Sequence, residues 1–584
     1  MVGIPNFGSG AMENWGLITF RKESLLVVDG KSSVEDKKNI AETVCHELGH
    51  MWFGNLVTMT WWDDLWLNEG FATWISFKGM ENVGREYVDW DVEGEFVQWN
   101  VIRGMVDDGL GKSHKIRMEV SSGGEVGEIF DTISYSKGAS IIRMIERYVG
   151  ESVFMDGIRR YIKEHMYGNG NAGSLWRAIG ESYGRDISSM VEGWISQAGY
   201  PVISVCERGE GLVLCQRRYS MLGGSDDSLW IVPVVIWWEG GMEERIEVGE
   251  KEVLVARRGD VYKVNSSYGG FYRVEYCEAG LRRLEERMEG LSNVDRVNII
   301  EDVFGLGFGL YGGITEGLRK IGVYYTSTYS VGRSVLEKLL RIKSVFYDDA
   351  EIVSAIDRRV LELIEERVNE VDVSSMGGSV EKISMDKYVL SVGIEVGSES
   401  AMRKVGELWR RHIEEGEELG EFRWIVYKGV VDDNIEYLLE KYRKGETPGA
   451  RREVMSGFSG IKRDENFELI VKTLPRLNVE DIGVVIAIIC RGGRFRDKMV
   501  EYVVEHGAEL YSMVHKNVML YNIIIMSLRY VSRDSMVEKV VGFLDGIKHS
   551  GSNLSIEKVR DEIEWRRRMR EIRDEILLGL CSSE

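Results

Sequence analysis

The chain has 584 residues, of which 44% are hydrophobic and 29% are charged, with only five prolines. It exceeds the roughly 250 to 300 residues at which a single core stops growing, so we expect several domains, and its composition excludes disordered and collagen-like proteins. The formal charge of −21 argues against a nucleic-acid partner, because phosphate recognition needs concentrated Lys and Arg.

Helical periodicity begins in residues 33–53. Apolar residues recur there at helical spacing, Ser33 can cap the start, and a Gly-Asn pair follows the end. Residues 56–67 lack helical signals, and residues 68–80 predict a second helix. Two helices should therefore flank a buried connection.

The pattern changes from helix to strand near Pro201. Further helices are predicted before it, including 140–148 and 152–165. Alternation after it is typical of a small β-sandwich, with strands at 202–206, 212–216, 230–238, 252–255 and 270–276. Beyond 279 the signal is helical to the end and favours a solenoid-like stack without a strict repeat. We predict an α+β multidomain protein with domains at 1–199, 200–279 and 280–584.

Six scattered cysteines favour reduced thiols over a disulfide framework, although Cys206 and Cys215 could face each other across a predicted hairpin. The first residues lack the basic region and apolar core of a signal peptide. The longest apolar runs, 484–490 and 523–526, fall short of the roughly 20 residues needed to cross a bilayer. We therefore expect a cytoplasmic protein without a membrane segment.

The strongest chemical signal is the run from His46 to His50. Residues four apart share a helical face, so these two imidazoles can reach one ion, and neutral imidazoles suit zinc. Alternatively, both histidines could merely satisfy hydrogen bonds in the core. A catalytic zinc needs a third protein ligand, and a third histidine in the extended metzincin pattern is excluded because positions 53 and 56 hold Phe and Leu.

Glu69 begins the second predicted helix and can fold back toward the first. A carboxylate at a helix start is ordinarily solvated, but beside two histidines it completes a site for one Zn²⁺ per chain. Glu47 is rotated by about 100° from its neighbouring ligand. It therefore faces beside the metal, where a general base can take a proton from zinc-bound water.

The sequence resembles the zinc aminopeptidases typified by aminopeptidase N and the puromycin-sensitive aminopeptidase. The resemblance rests on Gly10-Ala11-Met12-Glu13-Asn14, on His46 to His50, on Glu69, and on Tyr135 in Ser134-Tyr135-Ser136-Lys137-Gly138. It implies that 10–14 is an extended strand lining the cleft, that Glu13 binds the substrate α-amine, and that Tyr135 donates to the tetrahedral oxyanion. Taken alone, Tyr135 would be a packing residue and Glu13 a solvated one.

The resemblance further implies a thermolysin-like catalytic domain at 1–199, followed by a β-sandwich and a C-terminal helical domain. Two departures stand out. The sequence begins nine residues before Gly10, without the N-terminal β-domain of the family, and we expect this start to be an internal methionine, with a truncated paralogue as the alternative. His114-Lys115 replaces the usual His-Pro, so the loop entering the Tyr135 segment should be less fixed.

We therefore expect a zinc-dependent aminopeptidase acting on peptides with a free N-terminus. The alternative is a truncated, non-catalytic zinc-binding or scaffold protein. A zinc endopeptidase is disfavoured, because a carboxylate at Glu13 suits a free amine rather than the acyl chain of an internal substrate.

Overall fold

The computed structural model describes residues 1–581 except 6, 29–31, 88, 122–125, 127–128, 225, 374–377, 446–447, 493, 515–517 and 548–552. The chain is a mixed α/β protein, 66% helical, with small sheets and a helical C-terminal region. It divides into two compact units, Met1–Val27 with Glu35–Gly317, and Val28–Val34 with Leu318–Glu584. The expected mixture of helix and sheet is confirmed, whereas the three-domain division stays a prediction.

The helices up to the end of the first unit include all of those predicted there. Their bounds are α1 (Val34–Gly49), α2 (Trp66–Tyr87), α3 (Val92–Phe96), α4 (Arg103–Asp108), α5 (Gly138–Val149), α6 (Glu151–His165), α7 (Ala172–Tyr183), α8 (Ser188–Ser196), α9 (Glu278–Glu285), α10 (Asn293–Phe308) and α11 (Ile314–Arg319). Two π-helical turns, Val97–Ile102 and Ile133–Lys137, adjoin α4 and α5.

Two small sheets precede Pro201 in the chain, one formed by strands before the histidine motif and one by strands after it. In the first, β1 (Val2–Ile4) runs parallel to β3 (Thr19–Arg21), and β2 (Ala11–Met12) pairs with β3 on its other side. In the second, β4 (Val57–Met59) pairs in parallel with β5 (Gly168–Gly170). The connection between α1 and α2 thus contains a strand, which was not predicted for residues 56–67.

The strands after α8 form two further sheets. Their orders are β10-β7-β6-β12 and β11-β8-β9, with bounds β6 (Pro201–Arg208), β7 (Gly211–Arg218), β8 (Val232–Trp238), β9 (Met242–Val248), β10 (Glu252–Ala256), β11 (Tyr262–Val264) and β12 (Arg273–Tyr276). Strands β9 and β11 were not predicted, because β9 is an edge strand whose exposed charged residues hide the alternation and β11 has only three residues. In the β6–β7 hairpin Ser204 faces Cys215, and all six cysteines are free.

The regular elements among the described residues of the second unit are all helices. Its helices are α12 (Ile321–Tyr324), α13 (Tyr329–Val345), α14 (Ala350–Glu370), α15 (Val380–Val396), α16 (Glu399–Glu415), α17 (Arg423–Lys444), α18 (Pro448–Gly457), α19 (Asp464–Thr473), α20 (Val479–Gly492), α21 (Arg496–Glu505), α22 (Gly507–Val514), α23 (Val518–Ser527), α24 (Asp534–Ile547), α25 (Asn553–Glu571) and α26 (Arg573–Cys581). No helix among the described residues combines the length and the hydropathy needed to span a membrane.

Two glycines let α2 approach its neighbours closely. A Cβ added at Gly49 of α1 would lie 2.5 Å from Cγ2 of Ile75, and one at Gly70 of α2 would lie 3.1 Å from the carbonyl carbon of Gly138 in α5. Larger residues would push these helices apart. The glycines therefore hold α2 between α1 and the start of α5.

Candidate active site

The two histidines of the motif lie together at the end of α1. The helix ends at Gly49 rather than at residue 53 as predicted, but the backbone N–H of His50 still donates to the carbonyl of His46 at 3.1 Å. Helical spacing therefore continues through the second histidine, and the two Nε2 atoms are 3.0 Å apart. Nδ1 of His50 donates to the carbonyl of Phe53 at 3.0 Å, which leaves Nε2 as the ligand nitrogen in a neutral imidazole.

Glu69 faces both imidazoles from the first turn of α2. Its Oε2 lies 3.3 Å from Nε2 of His46 and 3.5 Å from Nε2 of His50. Burial alone would raise the pKa of Glu69, but hydrogen bonds with the two imidazoles outweigh burial and lower it to about 2.

These three side chains can offer ligand atoms that all lie within 4.8 Å of one another. Two imidazole nitrogens and a carboxylate oxygen grouped this closely can offer their lone pairs to one shared cation. Two His and one Glu are also a known ligand set of catalytic zinc sites. The residues present therefore fit a zinc ion.

Glu47 is a buried carboxylate beside this group. One of its oxygens, Oε2, has no hydrogen-bond partner among the described residues. Burial raises the pKa of Glu47 to about 7, against the opposing effect of His46 and His50. A carboxylate in this state can accept a proton near neutral pH.

Tyr135 belongs to the π-helical turn that precedes α5. Its ring is stacked on that of His46, with 6.0 Å between ring centroids and 14° between ring planes. Burial, with a further contribution from the charge of Glu69, raises the pKa of Tyr135 well above its usual 10. The hydroxyl therefore keeps its proton at neutral pH and is available as a donor.

The segment 10–14 is less regular than the predicted strand. Only Ala11–Met12 is in a strand, β2. The backbone N–H of Arg21 donates to the carbonyl of Gly10 at 2.8 Å, and Nδ2 of Asn14 donates to Oγ1 of Thr19 at 3.0 Å. Both contacts tie the segment to β3.

Glu13 reaches the group of site residues from this segment. Its carboxylate, that of Glu47 and a ring nitrogen of His50 can lie within 4.8 Å of one another. Nδ2 of Asn55 donates to the backbone carbonyl of Glu13 at 2.8 Å. The structure thus brings together Glu13, Glu47 and the three candidate ligands.

Sequence reasoning missed two residues that support these side chains. Asn55 holds the backbone of Glu13, and its only sequence signal was its position after the first helix. Thr73 places Oγ1 3.5 Å from Nδ1 of His46. The sequence could have indicated Thr73 through its spacing of four residues from Glu69, because this spacing places the two side chains on one face of α2.

The chain matches two known families of domain. Residues 1–194 match the Peptidase family M1 domain, and residues 261–564 match the ERAP1-like C-terminal domain. The matched segments contain all the predicted site residues and most of the helical second unit. The resemblance stated from the motifs is therefore confirmed.

Two relatives of the chain agree with this assignment. The chain is 72% identical over 580 residues to a probable M1 family aminopeptidase 2 of Encephalitozoon cuniculi, covering 99% of this chain and 67% of that protein. It is 28% identical over 596 residues to the alanine/arginine aminopeptidase of Saccharomyces cerevisiae, covering 98% of this chain and 69% of that protein. The predicted enzyme class, a hydrolytic aminopeptidase, is confirmed. The chain belongs to peptidase family M1.

Proposed function

We propose that this chain is a zinc-dependent aminopeptidase that hydrolyses the N-terminal peptide bond of peptides. One observation carries the proposal. His46, His50 and Glu69 offer ligand atoms within 4.8 Å of one another, beside the buried Oε2 of Glu47, which has no hydrogen-bond partner in the described part of the chain. Two imidazoles, one ligand carboxylate and one free carboxylate are the parts that metal-assisted hydrolysis requires.

His46, His50 and Glu69 would hold one zinc ion per chain. When bound, the ion supplies Lewis acidity toward the scissile carbonyl and makes the attacking water more acidic. The hydrogen bond from Nδ1 of His50 to Phe53 fixes that ring with Nε2 toward the ion.

Glu47 acts as the general base. Its Oε2 takes a proton from the attacking water and then delivers it to the leaving amine. The proposal is supported by the burial of Glu47, which raises its pKa to about 7, so that the side chain can both accept and release a proton near neutrality.

Glu13 binds the substrate amine, with Gly10, Ala11, Met12 and Asn14 forming the rest of the substrate segment. Its carboxylate lies with Glu47 and His50, close to where the first peptide bond would be cleaved. A charge pair between the half-buried carboxylate of Glu13 and an ammonium group selects a free N-terminus over an internal peptide bond.

Tyr135 stabilises the oxyanion of the tetrahedral intermediate. The hydroxyl stays protonated because burial raises its pKa well above 10, and its ring lies against the ligand His46. Removing a hydrogen-bond donor that is aimed at the developing charge typically lowers the rate by about 10²- to 10³-fold.

The remaining expectations are part of the same proposal. We assign a thermolysin-like catalytic domain to 1–199, a β-sandwich to 200–279 and a solenoid-like helical domain to 280–584. Six free cysteines are compatible with a reducing, cytoplasmic location. The alternative function is a non-catalytic zinc-binding or scaffold protein, but such a protein has no need for a buried carboxylate at Glu47 whose Oε2 lacks a hydrogen-bond partner among the described residues.

The test is to measure bound zinc and the hydrolysis of a panel of aminoacyl-arylamides by the wild type and Glu47→Gln. We expect about one zinc in both proteins and a kcat about 10²- to 10⁴-fold lower in the variant. Unchanged turnover in Glu47→Gln would exclude Glu47 as the base. A zinc-loaded but inert wild type would favour the scaffold alternative.

A further inference from the structure

The π-helical turn that carries Tyr135, Ile133–Lys137, is held by polar contacts at both ends. We propose that Asp131 and His114 at its start, with Lys137 and Asp108 at its end, are positioning residues that fix the Tyr135 hydroxyl. The inference rests on the proposed role of Tyr135 as oxyanion donor. None of these four side chains is among the site residues identified from the sequence.

Asp131 caps the start of the turn. Its Oδ1 accepts from the backbone N–H of Ile133 at 2.9 Å and from that of Ser134 at 3.4 Å, and its carbonyl accepts from the backbone N–H of Tyr135 at 3.1 Å. Backbone N–H groups at a helix start have no partner within the helix, so this carboxylate determines where the turn begins.

His114 fixes Asp131 in turn. Its Nε2 is 3.0 Å from Oδ2 of Asp131, and its Nδ1 donates to the carbonyl of Lys115 at 2.8 Å. The side chain is almost fully buried, with 8% exposed. Both imidazole nitrogens of His114 therefore lie within hydrogen-bond distance of an oxygen, while the expectation of a less fixed loop stays a prediction.

Lys137 anchors the end of the turn, two residues after Tyr135. Its Nζ lies 2.8 Å from Oδ2 of Asp108, and both side chains are fully buried. The same Nζ donates to the carbonyl of Gly199 at 3.1 Å, and Oδ1 of Asp108 accepts from the backbone N–H of Gly199. A buried ion pair with these additional partners tolerates little displacement.

The position of the hydroxyl depends on these contacts because Tyr135 lies between the two anchors on an irregular turn. π-Helical turns are uncommon and occur frequently at functional sites. An oxyanion donor must lie within hydrogen-bond distance of the developing charge, and a shift of about 1 Å can cost about 10²-fold in rate. Loosening either anchor should therefore lower kcat more than it changes KM.

The experiment is a double-mutant cycle on aminoacyl-arylamide hydrolysis with wild type, Asp131→Ala, Tyr135→Phe and the double variant. We expect Asp131→Ala to lower kcat by about 10- to 10²-fold with little change in KM. In the Tyr135→Phe background the same substitution should cost less than about threefold, because no hydroxyl remains to be positioned. Zinc content should be unchanged in all four proteins.

A matched control is Asn171→Ala. Asn171 caps α7 in the same unit, where its Oδ1 accepts from the backbone N–H of Ser174 at 2.9 Å, but α7 carries no proposed site residue. This variant should lose stability without lowering kcat. If Asp131→Ala does not fold, His114→Gln replaces it in the same double-mutant cycle, because His114→Gln leaves the Asp131 cap in place.

The outcomes separate the two proposals. If Tyr135→Phe costs activity and the losses in the double variant multiply, the positioning role is overturned while the role of Tyr135 stands. If Tyr135→Phe alone keeps the wild-type kcat, the donor role is wrong and the positioning inference falls with it. If Asp131→Ala has almost no effect on kcat in the Tyr135→Phe background, the donor role of Tyr135 and the positioning role of Asp131 are both supported.

Discussion

The ring of Tyr135 lies nearly parallel to that of His46, with 6.0 Å between the centroids and 14° between the planes. The two residues belong to segments far apart in the chain, and α2 lies between α1 and α5 through the close approaches at Gly49 and Gly70. The geometry of the candidate site therefore depends on how closely these three helices pack.

Gly70→Ala should damage the site without touching a site residue. The new Cβ would lie 3.1 Å from the carbonyl carbon of Gly138 and 3.3 Å from the backbone nitrogen of Ala139, so backbone must move. We expect a loss of about 1–3 kcal/mol in the free energy of unfolding. We also expect kcat to fall by up to about 10²-fold, because Glu69 and Tyr135 move apart. Denaturant unfolding and steady-state kinetics measure both.

The matched control is Gly406→Ala. Gly406 lies inside α16, and a Cβ there meets nothing within 4 Å. Alanine should stabilise this helix by about 0.5–1 kcal/mol and leave kcat unchanged. Equal kinetic effects of the two substitutions would show that the spacing at Gly70 does not matter to the site.

Removing the metal should destabilise the protein. A ligand at a thousand times its Kd adds about 4 kcal/mol to the folded state, and withdrawing it should lower Tm by roughly 10 °C. Differential scanning calorimetry with and without a chelator tests this. In Glu69→Ala, which lacks one of the three ligands, chelation should shift Tm much less, and an equal shift would exclude Glu69 as a ligand.

Glu13→Gln should weaken the recognition of a free N-terminus. The amide keeps the shape of the side chain but loses the charge that pairs with the substrate ammonium, which we expect to lower kcat/KM by about 10- to 10²-fold. The control is an arylamide whose first residue lacks the amine. Its slow hydrolysis should be the same in both proteins, and a parallel loss on both substrates would contradict amine binding.

Lys137→Met should destabilise the first unit strongly, because it leaves the fully buried carboxylate of Asp108 without its cation. We expect a loss of about 3–5 kcal/mol in the free energy of unfolding. Adding Asp108→Asn should recover much of that loss, since the amide oxygen can still accept from Ser113 and from the backbone N–H of Gly199. Urea unfolding of the single and double variants tests this explanation. If Lys137→Met acted only through lost packing, adding Asp108→Asn would not restore the free energy of unfolding.

The candidate metal ligands could be predicted from the sequence because their arrangement is mostly local. His46 and His50 share a helical face by spacing alone, and Glu47 follows from the same geometry. Predicting Glu69 required one further inference, that α2 folds back toward α1. The longer-range placement of Glu13 and Tyr135 was inferred only through the family resemblance.

The strands of the sheets were predicted unevenly for a similar reason. The β6–β7 hairpin buries most of its apolar residues, whereas β9 lies at a sheet edge and carries charged residues on both faces. Periodicity reports burial on one face, so a strand that buries little gives little signal.

The sequence by itself therefore determined the ligand motif, the main helices and the family, because these depend on spacing along one element and on residue types. Only the tertiary structure decided the stacking of Tyr135 on His46, the approach of α2 at Gly49 and Gly70, and the anchoring of the Tyr135 turn by Asp131 and Lys137. These contacts join residues far apart in the chain. Their distances follow from close packing and from the pairing of buried polar groups, which local patterns do not encode.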